Sequence, residues 1–237
     1  MSKERRLRRI MHRESQTSLI LPTDDSAIDG PKHHLRDMRG FLEKTAPHLD
    51  AVLGFQGTLK TYEPLLATTG RIQNLSLSTS LMTHTRKFPA GMVADALRDD
   101  MDAVAVHVNF SSMYEQDMLE RLGQVGSECT QARMPLVVFT YPRTEGTDGK
   151  DNNYYEMRRE NPEAYTKIAR HCARIGVELG ADLIKIPYTG TPETFQTVIK
   201  STMGIPVVMA GGPKIATERF LQNTYEAMEM AGLSPAA

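Results

Sequence analysis

Short apolar runs alternate along this chain with longer segments whose apolar residues recur at helical spacing. The pattern predicts strands over residues 19–23, 50–56, 72–78, 103–108, 135–139, 182–186 and 206–210. It predicts the helices that follow them over residues 31–45, 58–67, 89–98, 114–132, 162–179, 192–201 and 217–230. Strands in the second half are apolar throughout. This favours a parallel sheet covered by helices, as a barrel or a doubly wound open sheet, in a single domain of residues 1–237.

Two polar segments lie outside this alternation. Residues 3–13 are rich in Lys and Arg, with Leu7, Ile10 and Met11 as an apolar stripe at helical spacing. A short amphipathic helix packed on the body is the ordinary interpretation, and a nucleic-acid-binding arm is the alternative. Residues 143–153 are too hydrophilic for a core, and we expect them to form a lid or a rim.

Composition narrows the class of protein. The 237 residues are 40% hydrophobic and 24% charged, with a formal net charge of -1, so no nucleic-acid or membrane partner is expected. No apolar run approaches the ~20 residues of a membrane span, and the basic N-terminus lacks the apolar stretch of a secretory signal. Two cysteines, Cys129 and Cys172, do not make a disulfide framework. We expect both thiols to be buried or idle, as in a cytoplasmic protein.

One lysine lies inside an apolar strand. Leu183, Lys185 and Pro187 share one face of that strand. Desolvation would lower the pKa of the Lys185 amine and leave it free to attack a carbonyl and form a Schiff base. The alternative is a lysine that reaches solvent or a nearby carboxylate, as charged residues usually do.

Polar residues also occur at the ends of the other predicted strands, where chemistry collects in such folds. They are Asp24, Gln56, His107, Asn109, Tyr141, Tyr188 and the pair Gly211–Gly212. The paired glycines could bring backbone N–H groups to a phosphate at a helix N-terminus, with Lys214 adding charge, although a tight turn explains them equally well. Tyr141 is either a proton shuttle or a packing residue, and Asp24 either an active carboxylate or a turn residue.

Histidines offer no recognisable metal site. His33 and His34 are adjacent on a predicted helix and therefore point to different faces, and His107 has no partner at a spacing typical of zinc ligands. We expect no metal.

Several stretches together resemble the archaeal-type (DhnA/DeoC-like) class I fructose-bisphosphate aldolases and the related 2-amino-3,7-dideoxyheptulosonate synthases. The matching stretches span residues 6–10, 22–31, 104–109, 141–143, 180–190 and 207–214, in the family's order along almost the whole chain. Those around Lys185 and around Tyr141–Pro142–Arg143 are the most specific.

The resemblance implies a (β/α)8 TIM barrel with Lys185 as the Schiff-base lysine on strand six, Tyr141 as acid/base and Asp24 from strand one. It implies that Gly211 and Gly212 hold the substrate phosphate. No cofactor is expected, because the protonated imine is itself the electron sink. The family's habit implies a homo-oligomer. We expect the remaining substrate contacts from residues of the matching stretches, namely Arg143, His107, Asn109, Tyr188 and Lys214.

Two departures from the family pattern bear on function. The usual Asp-His-Gly after strand one is Asp24-Asp25-Ser26 here, which favours a biosynthetic aldolase over a glycolytic one. The family continues into an eighth strand with a Gly-Arg-Asn phosphate motif, whereas this sequence ends at Ala237. Either the sequence is a truncated version or the barrel lacks the eighth βα unit, and we expect weak activity or none for this polypeptide unless another chain covers the gap.

The leading hypothesis is a Schiff-base aldolase that acts on a phosphorylated ketose, with dihydroxyacetone phosphate as a possible donor and aspartate semialdehyde as a possible acceptor. The alternative is a non-catalytic or weakly active barrel that binds sugar phosphates or assembles with other subunits. A nucleotide-binding open sheet is disfavoured because no Gly-x-Gly-x-x-Gly follows the first strand.

Overall fold

Seven parallel strands form the centre of the molecule. The computed structural model describes residues 1–12, 14–82, 84–145 and 154–232. The strands are β1 (Ile20–Pro22), β2 (Ala51–Gly54), β3 (Gly70–Asn74), β4 (Ala103–Phe110), β5 (Leu136–Pro142), β6 (Leu183–Pro187) and β7 (Val207–Ala210). They pair in chain order, each parallel to the next. Among the described residues no ladder joins β7 to β1, so the sheet is a curled half-barrel. The predicted α/β fold is confirmed.

Helices follow the strands and cover the sheet. They are α1 (Lys3–Ile10), α2 (Asp25–Ile28), α3 (Met38–Thr45), α4 (Gln56–Thr61), α5 (Val93–Arg98), α6 (Glu115–Ala132), α7 (Tyr154–Glu160), α8 (Pro162–Glu178), α9 (Pro192–Ser201) and α10 (Thr217–Tyr225). Short 3-10 turns occupy His33–Leu35, Ala46–His48 and Glu63–Leu66, and a π-helical turn, Glu226–Met230, extends α10. Between β3 and α5 the antiparallel strands Ser76–Leu77 and Phe88–Pro89 form a two-residue ladder, which we call the hairpin.

Some predicted boundaries were wrong for local reasons. The strand predicted over residues 72–78 ends at Asn74, because its side-chain oxygen accepts from the Ser76 N–H (2.9 Å) and the chain turns into the hairpin. The helix predicted from residue 31 begins only at Met38, where Asp37 accepts from the Gly40 N–H. Helices α2 and α7 were not predicted. Of the expected rim loop, residues 146–153 lie outside the described residues.

The N-terminal helix α1 closes the end of the sheet where the strands begin. Ile10 is fully buried, Arg9 Nε lies 2.6 Å from Asp102 Oδ1, and Lys3 Nζ lies 2.8 Å from Asp182 Oδ2. Asp102 and Asp182 immediately precede β4 and β6. The basic residues of α1 thus pair with acidic residues at the strand starts, and the predicted amphipathic helix is confirmed.

Both cysteines are buried free thiols, as expected. Burial raises the pKa of Cys129 to about 12, so this thiol stays protonated and unreactive. None of the helices in the described part of the chain is long and apolar enough to span a membrane.

Candidate active site

A cavity of about 620 Å³ runs through the interior of the sheet, from residues that precede the strands, such as Thr17 and Pro206, to residues that follow them, such as Arg143 and Gly212. Its lining includes seven of the residues predicted for the site, namely Asp24, His107, Tyr141, Arg143, Lys185, Gly211 and Gly212. These residues come from β1, β4, β5, β6 and β7 or the loops directly after them. The curling of the sheet therefore brings together residues that are up to 188 positions apart in sequence, Asp24 and Gly212.

The register of three strands builds one wall of the cavity. His107 is paired with Phe139 across β4 and β5, and Phe139 with Lys185 across β5 and β6. These three side chains form one layer that faces the interior. Tyr141 is two residues beyond Phe139 and so lies on the same face, one layer nearer the carboxyl ends of the strands. The opposite face of β6 packs on α8, where Ile184 meets Gly176.

The Lys185 amine is buried against an aromatic ring. Its Nζ lies 4.4 Å from the centre of the Phe139 ring. Burial lowers the pKa of Lys185, and the charges of Asp24 and Asp25 oppose that lowering. A larger share of uncharged amine near neutral pH is what nucleophilic attack on a carbonyl requires.

Asp24 faces the same interior from the opposite edge of the sheet. It is 7% exposed, and its Oδ2 accepts a hydrogen bond of 2.8 Å from Asn74 Nδ2. Burial raises the pKa of Asp24, while the Lys185 charge and the Asn74 hydrogen bond lower it. Asn74 was not among the predicted residues. Its position at the end of β3 could have marked it, but the strand was predicted to continue to residue 78.

Tyr141 lies among aromatic rings and a guanidinium group. Its ring centroid is 4.8 Å from that of His107 and 5.2 Å from that of Tyr154, and Arg143 Cζ lies 5.6 Å from it. Burial raises the pKa of Tyr141 well above its ordinary value. The phenol is therefore protonated at neutral pH and is a proton donor.

His107 is held as one neutral tautomer. Asn109 Nδ2 donates to the Thr85 carbonyl (2.7 Å), which fixes Asn109 Oδ1 as the atom that lies 2.9 Å from His107 Nε2. Because Oδ1 only accepts, Nε2 carries the proton and Nδ1 is left as an acceptor. Burial, followed by the charge of Lys87, lowers the pKa of His107 well below its usual range. Asn109 itself is fully buried and does not belong to the cavity lining.

The glycine pair after β7 forms an exposed turn. Gly212 has a φ of 74°, and a Cβ there would lie 2.1 Å from the Tyr155 hydroxyl, so this position requires glycine. Helix α10 begins at Thr217, the predicted residue, and residues 213–216 separate the glycine pair from it. Lys214 is exposed and lies outside the cavity lining.

Two other strand-end residues are directed elsewhere. Tyr188 lines a smaller adjacent pocket of about 100 Å³, and its hydroxyl donates to Glu226 Oε2 at 2.7 Å. Gln56 Nε2 donates to Asp99 Oδ2 at 2.6 Å. The structure therefore does not bring Tyr188 or Gln56 into the large cavity.

The cavity lining also contains polar residues that the sequence patterns did not single out. Lys32 bridges Asp25 (2.8 Å) and Asp29 (3.1 Å), and Lys87, at 8% exposure, comes from the hairpin. Neither lysine lies at a strand end, which is why no positional signal marked it. Among the described residues no three His, Cys, Asp or Glu side chains are grouped to hold a metal ion.

Comparison with known proteins gives consistent matches over nearly the whole chain. Residues 16–234 match the DeoC/LacD family of aldolases. The chain is 31% identical over 239 residues to a 2-amino-3,7-dideoxy-D-threo-hept-6-ulosonate synthase of Archaeoglobus fulgidus, which covers 100% of this chain and 83% of that protein. A 2-amino-4,5-dihydroxy-6-oxo-7-(phosphonooxy)heptanoate synthase of Streptomyces griseus is 31% identical over 218 residues, 90% of this chain and 74% of that protein.

Solved structures agree with these sequence matches. A Schiff-base-forming fructose-1,6-bisphosphate aldolase superposes with a TM-score of 0.81 at 29% identity, and covers 98% of this chain and 89% of that one. An archaeal fructose-1,6-bisphosphate aldolase whose catalytic lysine carries a carbinolamine intermediate superposes with a TM-score of 0.80 at 28% identity, over 98% of this chain and 90% of that one.

Proposed function

The chain belongs to the DeoC/LacD aldolase family and is a class I, Schiff-base aldolase, and we propose that it joins a ketose phosphate donor to an aldehyde through Lys185. The observation that carries the proposal is the placement of Lys185. It lies in a desolvated layer beside Phe139, within the electrostatic influence of Asp24, in the wall of a cavity large enough for a sugar phosphate.

The reaction begins at the amine. Lys185 Nζ attacks the ketose carbonyl carbon, and loss of water from the resulting carbinolamine gives a protonated imine. In the cleavage direction the electrons of the adjacent carbon–carbon bond move into the imine to give an enamine, the hydroxyl proton of the leaving carbon goes to a base, and an aldehyde departs. Synthesis is the reverse. The chemistry consumes no redox equivalent, because the imine accepts the electron pair and returns it.

Tyr141 and Asp24 supply the proton transfer and the orientation of hydroxyls in this proposal. The Tyr141 phenol lies one layer above Lys185 and is protonated, so it can deliver a proton to the enamine carbon. Asp24, held by Asn74, accepts hydrogen bonds from substrate hydroxyls. His107 and Arg143 contribute an acceptor nitrogen and a fixed charge to the same cavity.

The donor phosphate is assigned to the turn Gly211–Gly212 in this proposal. The turn lies on β7, next to the Lys185 strand, and both glycines line the cavity. Backbone N–H groups of a glycine turn can approach phosphate oxygens closely. Two relatives are named as synthases of a 2-amino-3,7-dideoxy-hept-6-ulosonate and of a 2-amino-4,5-dihydroxy-6-oxo-7-(phosphonooxy)heptanoate. Together with Asp25 and Ser26 after the first strand, they support a biosynthetic reaction with dihydroxyacetone phosphate as donor and aspartate semialdehyde as acceptor.

Borohydride trapping tests the proposal. The chain is incubated with dihydroxyacetone phosphate or a phosphorylated ketose, reduced with borohydride and analysed by peptide mapping. We expect the added mass on Lys185. Lys185→Met should take up no label under the same conditions. Label on another lysine would overturn the assignment of the nucleophile, and equal uptake of an unphosphorylated ketose would overturn the assignment of the donor phosphate.

The proposal extends to a single barrel domain of residues 1–237 that assembles as a cytoplasmic homo-oligomer. The buried apolar residues form one cluster, and α10 carries the exposed side chains of Phe220, Leu221 and Tyr225. Light scattering at several protein concentrations checks the assembly, and cell fractionation checks the location. Weak turnover by the isolated monomer stays a prediction, which steady-state assays on a monomeric fraction test.

A further inference from the structure

Helix α7 crosses the ends of three neighbouring strands. Its Tyr154 ring packs on the ring of Tyr141 at the end of β5, with the two centroids 5.2 Å apart. Its Arg158 donates from Nη1 to a carbonyl of the loop after β6 at 2.7 Å. Its Tyr155 hydroxyl lies against Gly212 after β7, at the place that a Cβ would take. One short helix therefore contacts both the proposed acid/base residue and the proposed phosphate turn.

The phosphate turn consists of residues that do not hold their own conformation. Two successive glycines have more backbone freedom than two residues of any other type, and both Gly211 and Gly212 are exposed. A phosphate that binds to their N–H groups must fix this backbone, which loses conformational entropy. A turn that is held in the binding conformation beforehand avoids this cost and binds more tightly. A neighbour that fixes Gly212 therefore contributes to the affinity for the donor.

A hydrogen bond between two hydroxyls holds Tyr155 at the turn. Tyr154 Oη donates to Tyr155 Oη at 2.6 Å, and the centroids of the two rings are 4.0 Å apart. The Arg158 guanidinium lies over the Tyr155 ring, with Cζ 5.4 Å from its centroid. Burial raises the pKa of both phenols, so both stay protonated at neutral pH and the hydrogen bond persists. Tyr155 is thus fixed by Tyr154 at its hydroxyl and by Arg158 at its ring.

We propose that Tyr154 and Tyr155 are positioning residues, which hold the turn Gly211–Gly212 in the conformation that binds the donor phosphate. Tyr155 acts on the Gly212 backbone, and Tyr154 acts through Tyr155. The proposal rests on the proposed function and adds to it two residues that affect the donor through the backbone of a turn. Two consequences follow: the effect is confined to phosphorylated donors, and the two hydroxyls contribute as one unit.

The test measures borohydride trapping at Lys185 against donor concentration, for dihydroxyacetone phosphate and for unphosphorylated dihydroxyacetone. For Tyr155→Phe we expect the half-saturating concentration of dihydroxyacetone phosphate to rise roughly 3- to 10-fold, as for a lost neutral hydrogen bond. The value for dihydroxyacetone should stay at that of wild type, because this donor has no phosphate for the turn to bind. Tyr154→Phe keeps the ring contact with Tyr141 and should give the same selective rise.

A double variant tests whether the two hydroxyls act as one unit. Tyr154→Phe combined with Tyr155→Phe should raise the half-saturating concentration of dihydroxyacetone phosphate no further than Tyr155→Phe alone, because residues joined by one hydrogen bond do not contribute additively. A rise equal to the product of the two single effects would mean independent contributions, and would overturn the role of Tyr154.

Tyr165→Phe is the matched control. The Tyr165 hydroxyl is buried on α8 and has no hydrogen-bond partner among the residues that the structure describes. The substitution removes the same atom from another buried tyrosine, away from the glycine turn. The half-saturating concentrations of both donors should therefore stay at their wild-type values.

The outcomes separate this proposal from the proposed function. Absence of trapping in wild type would defeat Lys185 as the nucleophile, and equal half-saturation of wild type by the two donors would defeat the phosphate turn itself. With a wild type that prefers the phosphorylated donor, an unchanged value in Tyr155→Phe, or an equal rise for both donors, overturns the positioning role. A rise confined to the phosphorylated donor supports it.

Discussion

The two sides of Lys185 are built differently. On one side β4, β5 and β6, which we call the reactive wall, contribute strands of 8, 7 and 5 residues in continuous register, with α6 and α8 packed behind them. On the other side β7 has 4 residues, its glycine turn is exposed, and α10 has no buried residue. Lys185 and Tyr141, whose chemistry depends on desolvation, lie on the wall, whereas the proposed phosphate contact comes from the backbone of an exposed turn.

The largest expected effect is the loss of proton transfer at the reactive wall. Tyr141→Phe keeps the ring contacts with His107 and Tyr154 but removes the hydroxyl. We expect kcat to fall about 10²- to 10⁴-fold while borohydride trapping at Lys185 persists. Steady-state kinetics measures kcat, and borohydride trapping measures imine formation at Lys185. Unchanged kcat would mean that Tyr141 is a packing residue.

The tightness of the wall can be tested by two glycines on α6. A Cβ on Gly126 would lie 2.5 Å from the Leu179 carbonyl oxygen, which is backbone and cannot move aside cheaply, whereas a Cβ on Gly123 meets nothing within 4 Å. Gly126→Ala should lower the free energy of unfolding by about 1–3 kcal/mol, and Gly123→Ala should raise it by about 0.5–1 kcal/mol. Urea unfolding measures both. Similar values for the two variants would show a wall with room to relax.

A matched pair also exists on the phosphate side. Gly212→Ala puts a side chain at φ 74° against the Tyr155 hydroxyl, whereas Gly211→Ala meets only Phe220 at 3.8 Å. We expect Gly212→Ala to raise the donor KM about 10-fold, in line with the 1–3 kcal/mol of a strained left-handed residue. Gly211→Ala should change it much less. If neither variant alters donor binding, the phosphate is held elsewhere.

The smallest expected effect is a shift in pH dependence that links the loop after β1 with the Lys185 strand, β6. The charge of Asp24 opposes the lowering of the Lys185 pKa, so Asp24→Asn should lower that pKa further. The free amine then persists to lower pH, and the acid limb of the trapping rate should move to lower pH. Asp29→Asn, which removes a cavity carboxylate that pairs with Lys32, should leave the limb in place. A shift in the opposite direction would refute the coupling.

Most of the fold followed from periodicity, because buried parallel strands and amphipathic helices leave different spacings of apolar residues. All seven strands and the long helices α6, α8 and α9 were predicted within a few residues. The errors occurred where a side chain redirected the backbone. Asn74 ended a strand by binding the Ser76 N–H, and Asp37 delayed the start of a helix. Such contacts depend on one local geometry and produce no periodic pattern of residues in the sequence.

For the candidate site, the sequence by itself determined which strands end in reactive groups. Lys185, Tyr141 and Asp24 could be chosen because parallel strands deliver their carboxyl ends to one edge, and the family resemblance strengthened the choice. Only the tertiary structure decided which way each side chain points. It directed Tyr188 to Glu226 and left Asn109 to hold His107, while it brought Asn74 to Asp24 and Lys87 into the cavity. The reason is that periodicity specifies a face of one element, whereas a cavity is defined by the curvature of the sheet and by hydrogen bonds between residues distant in the chain.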